Sequence, residues 1–208
     1  SLKQAQTDLV AAANRDPHSG LLNRSGFEAH LRQSLQGDSV ERATVLRIHL
    51  DGYRAFVETY GHALGDNLVK HLSERLRGVV RERDVLARVE GEEFLLLCLG
   101  LGDVHVAEHL AQRLAQALRE PCVIDDVDIS LTSSIGIAQY PDSASAEQLL
   151  AHSTDAMQTA RKAGGAVHCF YEHGMDRRGA EQVDMQRDLR HAIARQELML
   201  HFQPKLRA

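Results

Sequence analysis

RVEGEEFLLL (88–97) sets three carboxylates, Glu90, Glu92 and Glu93, around Gly91 at one bend before an apolar run. Carboxylate oxygens are the donors that a hard divalent cation such as magnesium takes. Taken alone, the same bend is more simply a solvated hairpin turn. HLD (49–51) closes an alternating segment and puts an imidazole two residues from a carboxylate. RERD (81–84) spaces Arg81 three residues before Asp84. A guanidinium grips a planar anion with two parallel hydrogen bonds and a carboxylate accepts N–H groups, so the pair can hold a polar ligand; it also suits a solvated helix end. His105 and His109 have the i,i+4 spacing of a helical metal pair, but no third ligand stands at a recognisable spacing, and a solvated face is the better account.

The rest of the composition narrows the classes. A net charge of −5 over 208 residues argues against non-specific nucleic-acid binding and against a basic membrane-facing surface. It leaves room for a small anion held by a local basic cluster. Cys98, Cys122 and Cys169 stand far apart with no CxxC pair, which fits reduced thiols in a cytoplasmic protein. No apolar stretch reaches the roughly 18 residues that span a bilayer. An apolar share of 43% supplies a core, and aromatic content of 4% leaves that core to Leu, Val, Ile and Ala.

These residues need elements to position them. LKQAQTDLVAAA (2–13) is rich in helix formers, and Asp16-Pro17 opens a loop through Gly20. Ser25 is the expected cap of a helix carrying Phe27, Leu31 and Leu35. TVLRIHL (44–50) alternates, with Leu46, Ile48 and Leu50 on the core face and Val45, Arg47 and His49 opposite. Helices are expected over 52–60, capped by Asp51, and over 63–78. Strands over 85–89 and 94–99 flank the acidic turn. A helix over 103–119 carries a Val106, Leu110, Leu114, Leu118 stripe. Strands over 121–125 and 128–138 meet at Asp125-Asp126. A helix over 146–163 stops at Gly164-Gly165, and a strand follows over 167–171. This order predicts an α/β (α+β) fold with a ferredoxin-like βαββαβ core: a mostly antiparallel sheet flanked by helices, with an added hairpin. A charged helix over 176–196 and a strand over 198–206 close the chain.

Five segments, in order, resemble the GGDEF domain, the bacterial diguanylate cyclase family. They are DPHSGLLNRSGF (16–27), HLDGYRAFVETYGHALGD (49–66), RERDVLARVEGEEF (81–94), SSIGIAQYP (133–141) and STDAMQTARKAGG (153–165). DLRHAIARQELMLHFQPKL (188–206) resembles the opening helix and strand of an EAL domain, the cyclic di-GMP phosphodiesterase. The expected organisation is a signalling or linker helix at 1–15, a GGDEF domain at 16–173, and a linker helix with the truncated start of an EAL domain at 174–208.

The resemblance implies a nucleotidyl cyclase fold that joins two GTP molecules into cyclic di-GMP, with two subunits meeting face to face over magnesium ions. It implies residual catalytic roles for Glu92 and Glu93, with Glu92 as the remaining metal ligand. Nucleotide contacts fall to Arg54, Asp66, Gly91 and Arg161, although Arg54 and Arg161 also suit surface ion pairs. Arg81 and Asp84 match an inhibitory site for cyclic di-GMP. Four positions depart from the pattern. His49 stands where the family has a metal-binding Asp, and an imidazole nitrogen is a poor magnesium donor. Losing that carboxylate is expected to cost at least about 10–100-fold. Glu90 replaces the first glycine of the turn; at about 6 Å and an effective dielectric near 20, its charge would repel a phosphate by roughly 2–3 kcal/mol per charge. Val57 replaces an Asn that contacts guanine, and Gly165 replaces a basic residue. The expected protein is therefore an impaired cyclase that senses GTP or cyclic di-GMP, dimerises, and regulates a following EAL domain with magnesium weak or absent. The alternatives are a weakly active diguanylate cyclase and a spacer that binds no nucleotide.

Overall fold

The computed structural model describes residues 13–36 and 40–172. These fall within the first of two units into which the chain divides, Ser1–His173 and Gly174–Ala208. The expected helix over residues 1–15 lies almost wholly outside the described residues. The helix at 176–196, the strand at 198–206 and the EAL-like segment lie outside them entirely.

Asn23, not Ser25, starts the first helix, α1 (Arg24–Leu35): its side chain accepts from the Gly26 amide at 3.0 Å. Strand β1 (Ala43–Asp51) follows, then α2 (Tyr53–Tyr60) and α3 (His62–Val79). The expected Asp51 cap of α2 is not made; left-handed Gly52 occupies the cap position with no side-chain bond. Strands β2 (Val85–Glu90) and β3 (Glu93–Leu99) form the expected hairpin, with Gly91 and Glu92 at its tip. Helix α4 (Val104–Arg119) starts at Asp103, whose carboxylate accepts from the His105 and Val106 amides. The short pair β4 (Cys122–Ile124) and β5 (Val127–Ile129) turns through Asp125 and Asp126, both at positive φ, a conformation that Asp tolerates. The expected strand over 128–138 is thereby divided, and β6 (Thr132–Tyr140) is separate. Helix α5 (Ala146–Lys162) and β7 (His168–Phe170) complete the set.

The main sheet runs β2-β3-β1-β6-β7, antiparallel except for the parallel β6–β7 pair. Its first four strands have the ferredoxin-like order, with β7 and the β4–β5 hairpin added. The expectation that β1 has one core face is corrected: Ala43 through Leu50 are all buried. Leu46, Ile48 and Leu50 pack with Leu64, Leu68 and Leu72 of α3 and Leu114 of α4. Ala43 and Val45 pack with Phe27 and Leu31 of α1 and with Ala146 and Leu149 of α5. A central strand between two helical layers has no solvent face, so Arg47 and His49 are carried inside. The expected stripe of α4 shifts as well. Val106 is 44% exposed, while Ala107, Ala111, Leu114 and Leu118 are buried, the alanines letting the helix lie close. Among the described residues no helix is long and apolar enough to cross a membrane.

Candidate functional site

The C-terminal end of β1 and the β2–β3 tip come together because the register pairs His49 with Glu93 and the Leu50 amide donates to the Glu92 carbonyl at 2.9 Å. Beside this junction lies a cleft of about 480 Å³, lined by Tyr53, Arg54, Val57, Glu58, His62, Asp66, Arg88, Gly91 and Glu92. Four predicted residues, Arg54, Asp66, Gly91 and Glu92, thus share one cleft. Arg54 is exposed and pairs with Glu58 at 3.3 Å. Asp66 lies 3.3 Å from His18 Nδ1. Glu92 is half-buried on the wall, and no hydrogen bond or ion pair among the described residues takes its carboxylate.

The tip is held by Arg88, which the sequence reading did not single out. Its Nε and Nη2 donate to the Gly91 carbonyl at 3.2 and 3.0 Å, and Nη1 reaches Asp16 at 3.3 Å. Asp16 in turn accepts from the Ser19 amide and hydroxyl. Burial opposes ionisation of Asp16, but the Ser19 bonds and the Arg88 charge outweigh it and hold the carboxyl below its ordinary range. One arginine therefore ties the 16–22 loop to the acidic turn.

Glu90 departs from expectation. A register shift between Arg88 and Glu90 turns it outward, where it is 76% exposed and pairs with Arg24 at 3.2 Å. It is not on the cleft wall, so the expected repulsion of a ligand there is offset by Arg24 and by solvent.

Glu93 and His49 face the α5 side. Arg47 Nη1 donates to Glu93 Oε2 at 2.7 Å, a nearly buried pair on the guanidinium side. His49 is 6% exposed; its Nδ1 is buried without a hydrogen-bond partner, 3.9 Å from Glu93 Oε1. Asp51 is fully engaged: Oδ1 accepts from Ser134 Oγ at 2.8 Å, and Oδ2 accepts from Thr132 Oγ1 and the Ala166 amide, each at 3.0 Å. Arg161, in the last turn of α5, is exposed, and its charge bears on His49. The donors left for a cation at this end are one uncommitted carboxylate, Glu92, and one imidazole nitrogen. Among the described residues no three His, Cys, Asp or Glu side chains gather at metal-binding distance. This set does not fit a pair of magnesium ions, which need several oxygen donors.

Burial, joined by the Arg161 charge, pushes the His49 imidazole below its ordinary pKa, against the pull of Glu92, Asp51 and Glu93. The folded state then binds its proton less readily than the unfolded chain, whose histidine titrates near about 6.5. Stability is therefore complete above that pH and falls as the pH drops below it. A His49→Gln variant should lose less stability than the parent between pH 7.5 and pH 5.5, measured by urea unfolding midpoints. Equal losses in both proteins would refute the assignment.

Arg81 and Asp84 sit apart from this site, on the α3–β2 turn. Asp84 accepts from the Arg81 amide at 2.9 Å, and the Asp84 amide donates to the Arg81 carbonyl at 3.0 Å. Hollows of about 130 and 560 Å³ flank the pair, and both are lined by the two residues. Cys98 lies in the smaller hollow, where burial, reinforced by Asp84, pushes its thiol far up. A thiol so held is inert.

Residues 13–166 match the family model described as diguanylate cyclase, GGDEF domain. A bifunctional diguanylate cyclase/cyclic di-GMP phosphodiesterase, MucR of Pseudomonas aeruginosa, is 36% identical over 211 residues, covering 100% of this chain and 31% of MucR. The cyclic di-GMP phosphodiesterase NbdA of the same organism is 33% identical, covering 99% of this chain and 26% of NbdA. The chain thus spans about a third or less of these curated relatives. The solved GGDEF domain of TpbB (YfiN) from Pseudomonas aeruginosa superposes with a TM-score of 0.74 at 30% identity, covering 78% of this chain and 97% of that one. Fold, motif order and relatives agree, and the chain belongs to the diguanylate cyclase GGDEF family, a domain of cyclic di-GMP signalling proteins.

Proposed function

We propose that this domain makes cyclic di-GMP poorly or not at all and works as a nucleotide-sensing, regulatory module for a following EAL domain. The observation that carries the reading is the imidazole at position 49. It is buried, with one nitrogen unpartnered, where the family resemblance calls for a metal-binding carboxylate. In this reading the cleft holds GTP: Arg54 meets phosphate, the Gly91 backbone lets the ligand approach, and Asp66 faces the base. Arg161 attracts phosphate from the α5 side. Glu92 and Glu93 are relics of the catalytic turn. Arg81 and Asp84 form a second site, for cyclic di-GMP, with a hollow on either side. The EAL partner is supported by the 188–206 segment and by the phosphodiesterase names of MucR and NbdA. Pairing of two copies completes the proposal, as the family resemblance implies.

A second reading, a slow diguanylate cyclase, is favoured by one feature: Glu92 retains an uncommitted carboxylate on the cleft wall. Incubation with GTP and magnesium or manganese, followed by chromatography for cyclic di-GMP, separates the two. The regulatory reading expects no product above a Glu92→Ala control; clear turnover above it would establish the cyclase. Calorimetry with GTP and with cyclic di-GMP then tests sensing. Loss of binding on Arg161→Ala would indicate the former active site at the β1 end, and loss on Arg81→Ala the second site. Binding of neither nucleotide would leave a spacer.

A further inference from the structure

Arg47 is a charged residue in the middle of a buried strand, and nothing in the proposed activity uses it. It lies two residues before His49 on the same face of β1, opposite Gly136 on β6 and Leu95 on β3. Its side chain is 6% exposed, Nη1 is 2.7 Å from Glu93, and Nε is buried without a partner. A guanidinium does not shed its proton in a protein. This one is therefore a permanent cation, and burying it is strongly unfavourable unless a carboxylate accompanies it. Glu93 is that carboxylate, and its other oxygen faces the unpartnered His49 nitrogen at 3.9 Å.

We infer that Arg47 is a built-in cation that closes this end of the sheet to divalent metal, so that restoring a carboxylate at position 49 alone does not rebuild a metal seat. The inference rests on the proposed loss of the metal site and names a second determinant of it. With Glu93 neutralised by Arg47, an incoming dication finds Glu92 as its one uncommitted carboxylate and a fixed positive charge close by. Like charges in a partly buried site repel far more strongly than in water. A His49→Asp exchange supplies an oxygen donor and leaves the guanidinium in place.

Manganese(II) alone, titrated into the full chain and followed by electron paramagnetic resonance, reads the seat directly, without nucleotide or turnover. The parent and His49→Asp should both leave the manganese signal essentially free. The double variant His49→Asp/Arg47→Met should bind at least about 10-fold more tightly than His49→Asp, whereas His49→Asp/Arg47→Lys, which keeps the charge, should stay weak. Thermal melts establish that each variant is folded, and Arg47→Gln replaces Arg47→Met if the latter is not. Equal affinity of His49→Asp and the neutralised double variant would overturn the role of Arg47 and leave the functional reading standing. Tight manganese binding by the parent would overturn both.

Discussion

A Gly136→Val variant is expected to lose about 3 kcal/mol or more of folding stability, out of a total that for a domain of this size is about 5–15 kcal/mol. The cause is steric. A Cβ built on Gly136 would stand 2.2 Å from both the Met157 nitrogen and the Ser153 carbonyl oxygen of α5, and 2.8 Å from the Met157 Cα. These are backbone atoms of a helix, so no side-chain rotation relieves the overlap and α5 itself must move off the sheet. Because the first carbon already makes the clash, Gly136→Ala should show most of the loss. Gly78 supplies the contrast: it is helical, with nothing within 4 Å of a built Cβ. Gly78→Ala should be neutral or stabilising by up to about 1 kcal/mol. Urea unfolding of the three variants checks this, and a Gly136→Ala protein as stable as its parent would refute the packing argument. Displacing α5 also carries Arg161 away from the His49 end, so the nucleotide contact proposed for Arg161 should weaken along with stability.

Asp51→Ala should cost about 2–3 kcal/mol, since hydrogen bonds to a charged group each contribute roughly 1.5–3 kcal/mol and these are partly exposed. The carboxylate joins three places at once: Thr132 and Ser134 on β6, and the Ala166 amide in the α5–β7 connection. That connection runs through Gly164, Gly165 and Ala166, all at positive φ. Alanine seldom adopts such a backbone unless its surroundings impose it. Gly165 also needs its bare backbone, because a Cβ there would lie 3.2 Å from Asp51 Oδ2. Removing the carboxylate releases the strained run. Hydrogen exchange should show the Ala166 amide losing protection, with β7 loosening more than β1 or β3. Asp51→Asn should fall between, because it keeps one acceptor but turns an NH2 group towards donors. Unchanged protection at Ala166 would mean that the connection holds itself.

The acidic turn shows how far local reading reaches. GEE between two apolar runs, Gly164-Gly165 after a helical pattern, and Asp125-Asp126 between short β-prone segments each specify a backbone conformation from neighbours in the chain. Element order, the ferredoxin-like core and the hairpin at 90–93 were legible for that reason; the family was legible from the resemblance of five segments in order. Arg54, Asp66, Gly91 and Glu92 were named from the family resemblance, and the structure places all four on the wall of one cleft.

Local patterning thus specified the set of elements and the segments that come to line the cleft. Tertiary structure alone decided which charges are spoken for. Arg47 meets Glu93 across 46 residues, Asp51 meets Ala166 across 115, and Glu90 meets Arg24 across 66. None of these separations leaves a trace in local periodicity. The same holds for the second buried face of β1: alternation marks one apolar side, and only the arrival of α1 and α5 shows that the other is covered too. Side-chain chemistry lists possible partners, but the desolvation that makes one pairing obligatory exists only once the layers have closed over it.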